Sequence, residues 1–560
     1  VGGWGSHGLT VYKMLIKARG GGDFLSEHYR QAACGIAISD TAREACALFV
    51  EAEDHLGVEE FPEALRKATL AVDSFRAAGD SRGTADALRL SVLASLGSGS
   101  AHLLAEAGRL AWAELERRRA EKDKLGEAKM LVSIAEACTD LEGRGRAEAV
   151  TAAKEACAIG KHEGEKRLEV MALLALASVH VAKGSRDKPG AEQALQAASE
   201  ARELAQDLDD RRKEAESLHA MAEAKAICTS LEDALESADE AMDFYLELKD
   251  KRMEAFELLR MASWNLALGQ HARALSDAED ALEIYQMLQS PMEVDALRAV
   301  FQAHLARSDL RKARLVAAEA FRRFREQGKK EAQVQACTML IEMYVKADRI
   351  DEALSSAQQG LKVCKELGDQ ARQVSMLVVV ARMRFRLAQL SKALVTGRDA
   401  FDLMLQLKGS DGKAVSKDKV DLMQVMADSH VNQGDPEAAL ELVTEMKEHF
   451  QQIEDGQGLA SSLLLSSILQ LRLGKADVAT QLANRAQSLF NEEGDMKGEA
   501  DALKTLGELY WKKSEFKAAV RMGERARALY REVEFTDGEL ACMYMISENA
   551  VRLSVQEGAK

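Results

Sequence analysis

The stretch Gly494 to Val533, GDMKGEADALKTLGELYWKKSEFKAAVRMGERARALYREV, decides how the rest of the chain is read. Its first half carries Leu503, Leu506, Gly507 and Tyr510, and its second half carries Ala519, Gly523 and Ala526. Separations of three, four and seven residues put each set on one face of a helix. Outward from Ala519, a small residue returns at Ala479, Ala439, Ala393, Ala353, Ala313, Ala274, Ala234 and Ala194, at steps of 40, 40, 46, 40, 40, 39, 40 and 40 residues, and then at Ala149, Ala107 and Ala64. Four residues after each of these, eleven of the twelve units again have a small residue, and Val443 is the exception. Seven residues after, ten do, with Glu114 and Met446 as exceptions. Two helices approach to roughly 8 Å only where their contact points carry little side chain, so this stripe marks the second helix of a repeated pair. The first helices supply apolar faces such as Leu218, Met221 and Ala222, or Leu377, Val380 and Ala381.

Turns between units read Gly79-Asp80, Asp209-Asp210, Lys249-Asp250, Gly368-Asp369 and Gly494-Asp495. There the first residue ends one helix and the aspartate caps the next. These turns predict twelve helix pairs from about residue 40 to residue 533, closed by a single helix from about Asp537 to Gln556. A pair of this kind cannot bury its apolar surface alone and must stack on its neighbours.

The spacing of Leu503, Leu506-Gly507, Tyr510, Ala519 and Ala526 resembles the tetratricopeptide repeat (TPR) family, in the longer, forty-residue variety of the Leu-Gly-Asn repeat adaptors. Each unit is about six residues longer than the 34-residue TPR, and the closing proline is missing. The signature asparagine after Leu-Gly is absent: Glu223, Ser263, Gln302, Glu342, Arg382, Asp428, Ile468 and Glu508 stand there. The adaptors' peptide-backbone clamp is therefore not carried over. The carboxylate clamp of chaperone-binding TPRs is undermined as well, because Glu508 lies between Lys504 and Lys512 on one helical face. The resemblance implies an all-α, right-handed α-solenoid that works as a non-enzymatic scaffold or adaptor. Such a protein grips a partner segment in its concave groove and bridges subunits, or serves as a permanent structural subunit of a large assembly.

Composition agrees with a chain that is helical throughout. There are four prolines, and aromatic residues make up 5%. Pro62, Pro189, Pro291 and Pro436 fall where helices should begin, and Ser290-Pro291 and Asp435-Pro436 each read as an N-cap residue followed by proline at the first helical position. Asp and Glu total 91 against 75 Lys and Arg, so nucleic acid is not an expected partner. Eight scattered cysteines without a CxxC imply reduced thiols, and hence the cytoplasm or another reducing compartment. The longest apolar run, Val170 to Val181, is too short to span a bilayer, so no transmembrane segment is expected. The chain begins at Val1 without an initiator methionine, which leaves organellar targeting open.

The expected domain organisation is a Gly-rich extension over 1–39, with an apolar island from Leu9 to Ile16; a first solenoid segment over 40–407; a polar loop or hinge over 408–419; and a second solenoid segment over 420–560. A shorter polar interruption runs from Lys183 to Gly190.

No phosphate-binding loop, nucleophile elbow, zinc-protease motif or metal-spaced Cys/His pair is present, so neither catalysis nor a cofactor or metal is expected. One charge feature stands out. Arg307 to Arg398 holds 19 Lys and Arg against 10 Asp and Glu inside an acidic protein. Within it, Val374 to Arg398 carries Arg382, Arg384, Arg386, Lys392 and Arg398 and no acid. In the register that the TPR resemblance implies, Arg298, Lys346, Arg382 and Arg386 face the concave groove, with Phe385 between the charges. The expected partner is a protein or peptide with an acidic segment. Arg382 and Arg386 are four residues apart on a helix and repel by a few tenths of a kcal/mol, which a carboxylate or phosphate would relieve.

Overall fold

The computed structural model describes residues 26–34, 39–138, 144–182, 188–407, 416–533 and 535–558. The Gly-rich stretch with its Leu9 to Ile16 island lies outside the described residues, as do 183–187 and 408–415, the first parts of the two polar interruptions. The chain divides into two compact units, Val1–Val316 and Ala317–Lys560.

Among the described residues there are 26 helices and no strand. The first unit opens with α1 (Ser26–Cys34), followed by the pairs α2 (Asp40–Gly57) and α3 (Phe61–Ala77), α4 (Ser81–Ser98) and α5 (Ala101–Glu121), α6 (Lys124–Ala137) and α7 (Arg144–Glu163), and α8 (Lys166–Val181) and α9 (Lys188–Asp207). It continues with α10 (Arg211–Cys228) and α11 (Leu231–Glu247), α12 (Lys251–Ala267) and α13 (His271–Met287), then α14 (Glu293–Ala306) and α15 (Leu310–Glu326). The division between the units falls inside α15. The second unit holds α16 (Lys330–Lys346) and α17 (Ile350–Leu367), α18 (Gln370–Arg386) and α19 (Leu390–Gln406), α20 (Ser416–Asn432) and α21 (Pro436–Gln452), α22 (Gly456–Arg472) and α23 (Ala476–Glu492), and α24 (Met496–Lys512) and α25 (Phe516–Glu532). The last helix, α26 (Thr536–Gly558), closes it. Each unit is an all-α, TPR-like stack, and together they hold the twelve pairs that the small-residue stripe predicts.

Local chemistry sets the helix ends. Asp80, Asp123, Asp210, Asp250, Asp369, Asp455 and Asp495 each cap a first helix by accepting the backbone N–H three residues on. Asp435 does the same ahead of Pro436, the first residue of α21. Ser290-Pro291 departs from expectation. Ser290 is no helix cap; Pro291 and Met292 form a turn before α14, and the Ser290 hydroxyl accepts the Met292 N–H at 3.1 Å.

The alanine stripe is the packing seam. All twelve alanines from Ala64 to Ala519 are buried, none more than 4% exposed. Opposite the last alanine, Gly507 on α24 leaves room for the Met545 side chain, whose end lies 2.8 Å from where a Cβ would stand. The two exceptions to the stripe are buried as well. Met446 fills its site with sulfur and methylenes, while Glu114 is held by Arg118 and by Arg76 at 3.1 Å. In the first unit, α1 docks on the first two pairs. The Tyr29 ring lies 4.2 Å from that of Phe49, and its hydroxyl donates to Asp86 at 2.7 Å.

Candidate functional site

The basic helix α18 lies in the second unit, and the structure brings its arginines to carboxylates of the chain itself. Arg382 donates to Asp421 on α20 at 2.6 Å, and Arg386 to Asp348 in the α16–α17 turn at 3.1 Å. The like charges of Arg382 and Arg386 are thus relieved from two directions by neighbouring pairs. Arg384 reaches the Lys392 carbonyl at 3.3 Å and the Thr396 hydroxyl. Arg398 grips both oxygens of Glu445, at 3.0 and 2.9 Å, and lies over the Phe401 ring. Phe385 is half-buried, and Lys346 is exposed at the end of α16. Arg298 is half-buried on α14 in the first unit and is not a free cation.

The Arg382 and Asp421 side chains are 41% and 37% exposed. A pair this wet contributes about 0–1 kcal/mol, so another carboxylate can replace Asp421 at little cost. The arginine is thus paired, and the pair is open to water.

The first unit places its charges differently. Arg89 on α4 donates to both oxygens of Glu136 on α6, at 2.7 and 3.0 Å, and both side chains are 4% exposed. Farther along, Arg260 on α12 pairs with Glu223 on α10 at 3.0 Å and stacks over Trp264. His219 on α10 meets Glu257 on α12 at 2.8 Å, fully out of water. Burial opposes the charged form of His219, but the Glu257 carboxylate, with Glu223 behind it, outweighs burial and holds the imidazole above its ordinary value. Burial raises Asp277 and Asp239 above the usual carboxylate range, and neighbouring acids add to it.

One rule unites these contacts. Glu223 and Arg260 are 37 residues apart, His219 and Glu257 are 38, and Arg382 and Asp421 are 39, so each pair joins first helices of successive units about one repeat apart. A search for catalytic motifs passes over such a ladder. It emerges only when the repeats are aligned and charges of opposite sign are sought at matching places.

Burial pushes the Cys157 and Cys337 thiols up to about 12 and those of Cys364 and Cys542 up to about 11, so they stay protonated near neutral pH. Among the described residues no group of three or more His, Cys, Asp or Glu could hold a metal ion, and no helix is long and apolar enough to cross a membrane. An open cleft of about 760 Å³ lies in the first unit between the α12–α13 turn and the end of α14, lined by Gln270, His271, Arg273 and Arg307 among others.

No family model matches the chain, and no curated protein matches it. Solved structures do. A signal transduction ATPase with numerous domains and a tetratricopeptide repeat sensor, from Pyrococcus horikoshii, is 12% identical over 78% of this chain and 73% of its own, with a TM-score of 0.38. Yeast Tom70 is 12% identical over 78% of this chain and 97% of its own, with a TM-score of 0.41. The Cut9–Hcn1 hetero-tetramer of APC/C is 11% identical over 92% of this chain and 97% of the matched one, with a TM-score of 0.30.

Proposed function

We propose that the protein is a non-enzymatic interaction scaffold of the forty-residue TPR variety, and that α18 is where it takes an acidic segment of a partner. The half-exposed, exchangeable pairing of Arg382 with Asp421 carries this reading. A partner carboxylate entering there trades places with Asp421, and no buried charge is stranded. Arg386 and Lys346 widen the basic surface, and the half-buried Phe385 on the same helix offers apolar area. Affinity then comes from several contacts, with charge setting register and on-rate more than strength.

The test is a photo-crosslinking residue at Phe385 in the full chain, with and without R382E and R386E. A captured chain that is lost, or bound at least tenfold more weakly, in the double reversal at unchanged helicity supports the proposal. Equal capture removes α18 as the site.

The second reading, a permanent subunit of a larger assembly, is favoured by α26. Leu540, Tyr544 and Val551 are 53, 76 and 63% exposed along that helix, more apolar surface than an isolated chain comfortably shows. Co-purification with other chains in fixed ratio is the outcome expected of a subunit, and a monodisperse single chain the outcome expected of a free adaptor.

A further inference from the structure

In a stack of helix pairs each unit touches its neighbours, and side-chain contacts span about one repeat. One contact in the first unit breaks this rule. Glu59, in the turn between α2 and α3, accepts a hydrogen bond from Ser290 at 2.8 Å across 231 residues of sequence. The same oxygen lies 3.6 Å from Nη1 of Arg252, in the first turn of α12. The first pair therefore comes back to meet the two turns that join the fifth, sixth and seventh pairs.

The turn is built to deliver this carboxylate. Glu59 has a φ of 63°, the left-handed region that favours glycine. The corresponding turns between helices of later pairs place Gly269, Gly434 and Gly474 there, and elsewhere Ser308, Asp348, Ala388 and Ser514. Where a carboxylate stands instead, as Glu59 or as Asp348, it reaches an arginine of another pair. The Glu59 side chain is 3% exposed.

The meeting place is poorly satisfied for a buried one. The Tyr285 hydroxyl, at the end of α13, and the Arg252 Nη1 make no hydrogen bond, although both atoms are out of water. Buried polar groups in a stable core are almost always hydrogen-bonded, and each one left over is costly. The joint rests on one carboxylate, with the Ser290 hydrogen bond and the Arg252 ion pair, and leaves the Tyr285 hydroxyl unsatisfied.

We propose that Glu59 is a latch: Arg252, Ser290 and Tyr285 form a socket for a carboxylate, the chain fills it with its own Glu59, and the first unit opens along this seam when Glu59 leaves. Latched, the α2–α3 turn is held against the start of α12 and the α13–α14 turn. Unlatched, the α2–α3 turn and the α13–α14 turn separate while each helix pair stays folded.

Hydrogen exchange on the full chain tests this, with E59A, S290A and the control E60A. Glu60 shares the turn but pairs locally with His55 at 2.7 Å. E59A is expected to speed exchange roughly tenfold in two segments far apart in sequence, 57–62 and 286–296, with the rest of the first unit unchanged. S290A should show the same pattern to a smaller degree, which preserves the test if E59A folds poorly. Unchanged exchange over 286–296 in E59A, or over 57–62 in S290A, overturns the latch, because S290A also removes the local Met292 N–H bond. So does uniform acceleration along the whole unit, or an equal effect from E60A.

Discussion

Helices α4 and α18 hold the same place, the first helix of a pair, and live in opposite surroundings. In α4, 15 of 18 residues are buried; in α18, seven of 17 are. Each sends an arginine to a carboxylate on the first helix of the next pair: Arg89 to Glu136 in the first unit, and Arg382 to Asp421 in the second. The chemistry is identical and its consequences are not. Around Arg89 water is excluded, so the pair is a structural tie that cannot lose one member alone. Around Arg382 water competes throughout, so the pair is a replaceable contact. The same repeat thus yields a buried brace in one unit and a solvent-exposed ion pair in the other.

The largest expected effect breaks the brace. Glu136→Ala removes the carboxylate that takes two hydrogen bonds from the buried Arg89 guanidinium and should cost about 3–5 kcal/mol in denaturant unfolding, whereas Asp421→Ala should cost about 1 kcal/mol or less. Equal costs would erase the distinction between the units. Next comes Ala519→Asp in the second unit, where a fully buried seam position receives an unpaired charge. A loss of about 3 kcal/mol at the carboxy-terminal end is expected, and unchanged thermal unfolding would mean that the seam runs elsewhere. Such a loss beside a small cost for Asp421→Ala would show that the second unit is forgiving at its charges and not at its packing.

The smallest effect concerns pH. Glu257 holds His219 above the ordinary histidine value of about 6.5, so the folded state binds the proton more tightly than the unfolded chain. The stabilisation is complete below the unfolded value and disappears as pH rises through the folded one. His219→Asn should therefore destabilise the first unit more at pH 6 than at pH 9. A pH-independent difference would show that the pair is held by its neutral hydrogen bond alone.

Much of this molecule was legible in advance because helix pairing is local. Spacings of three, four and seven residues place side chains on one face, and a turn residue followed by aspartate ends one helix and caps the next. The twelve pairs, the buried alanine seam and the closing helix all follow from that. Pro291 misled because proline suits a turn as well as a helix start, and only the backbone around Met292 distinguishes the two. The basic run from Val374 to Arg398 was equally visible as a run without acids. Its acids were one repeat away on either side, as Asp348 and Asp421, where no window along the chain would find them.

What the sequence determined by itself is therefore the repeating unit, since the forces that make a helix pair act within about forty residues. Which charges are braces, which are exchangeable, and which turn reaches back across 231 residues to Ser290 were decided only by the stacked structure. Burial and dielectric belong to the surroundings of a residue, and those surroundings are assembled from pairs that the local pattern treats as equivalent.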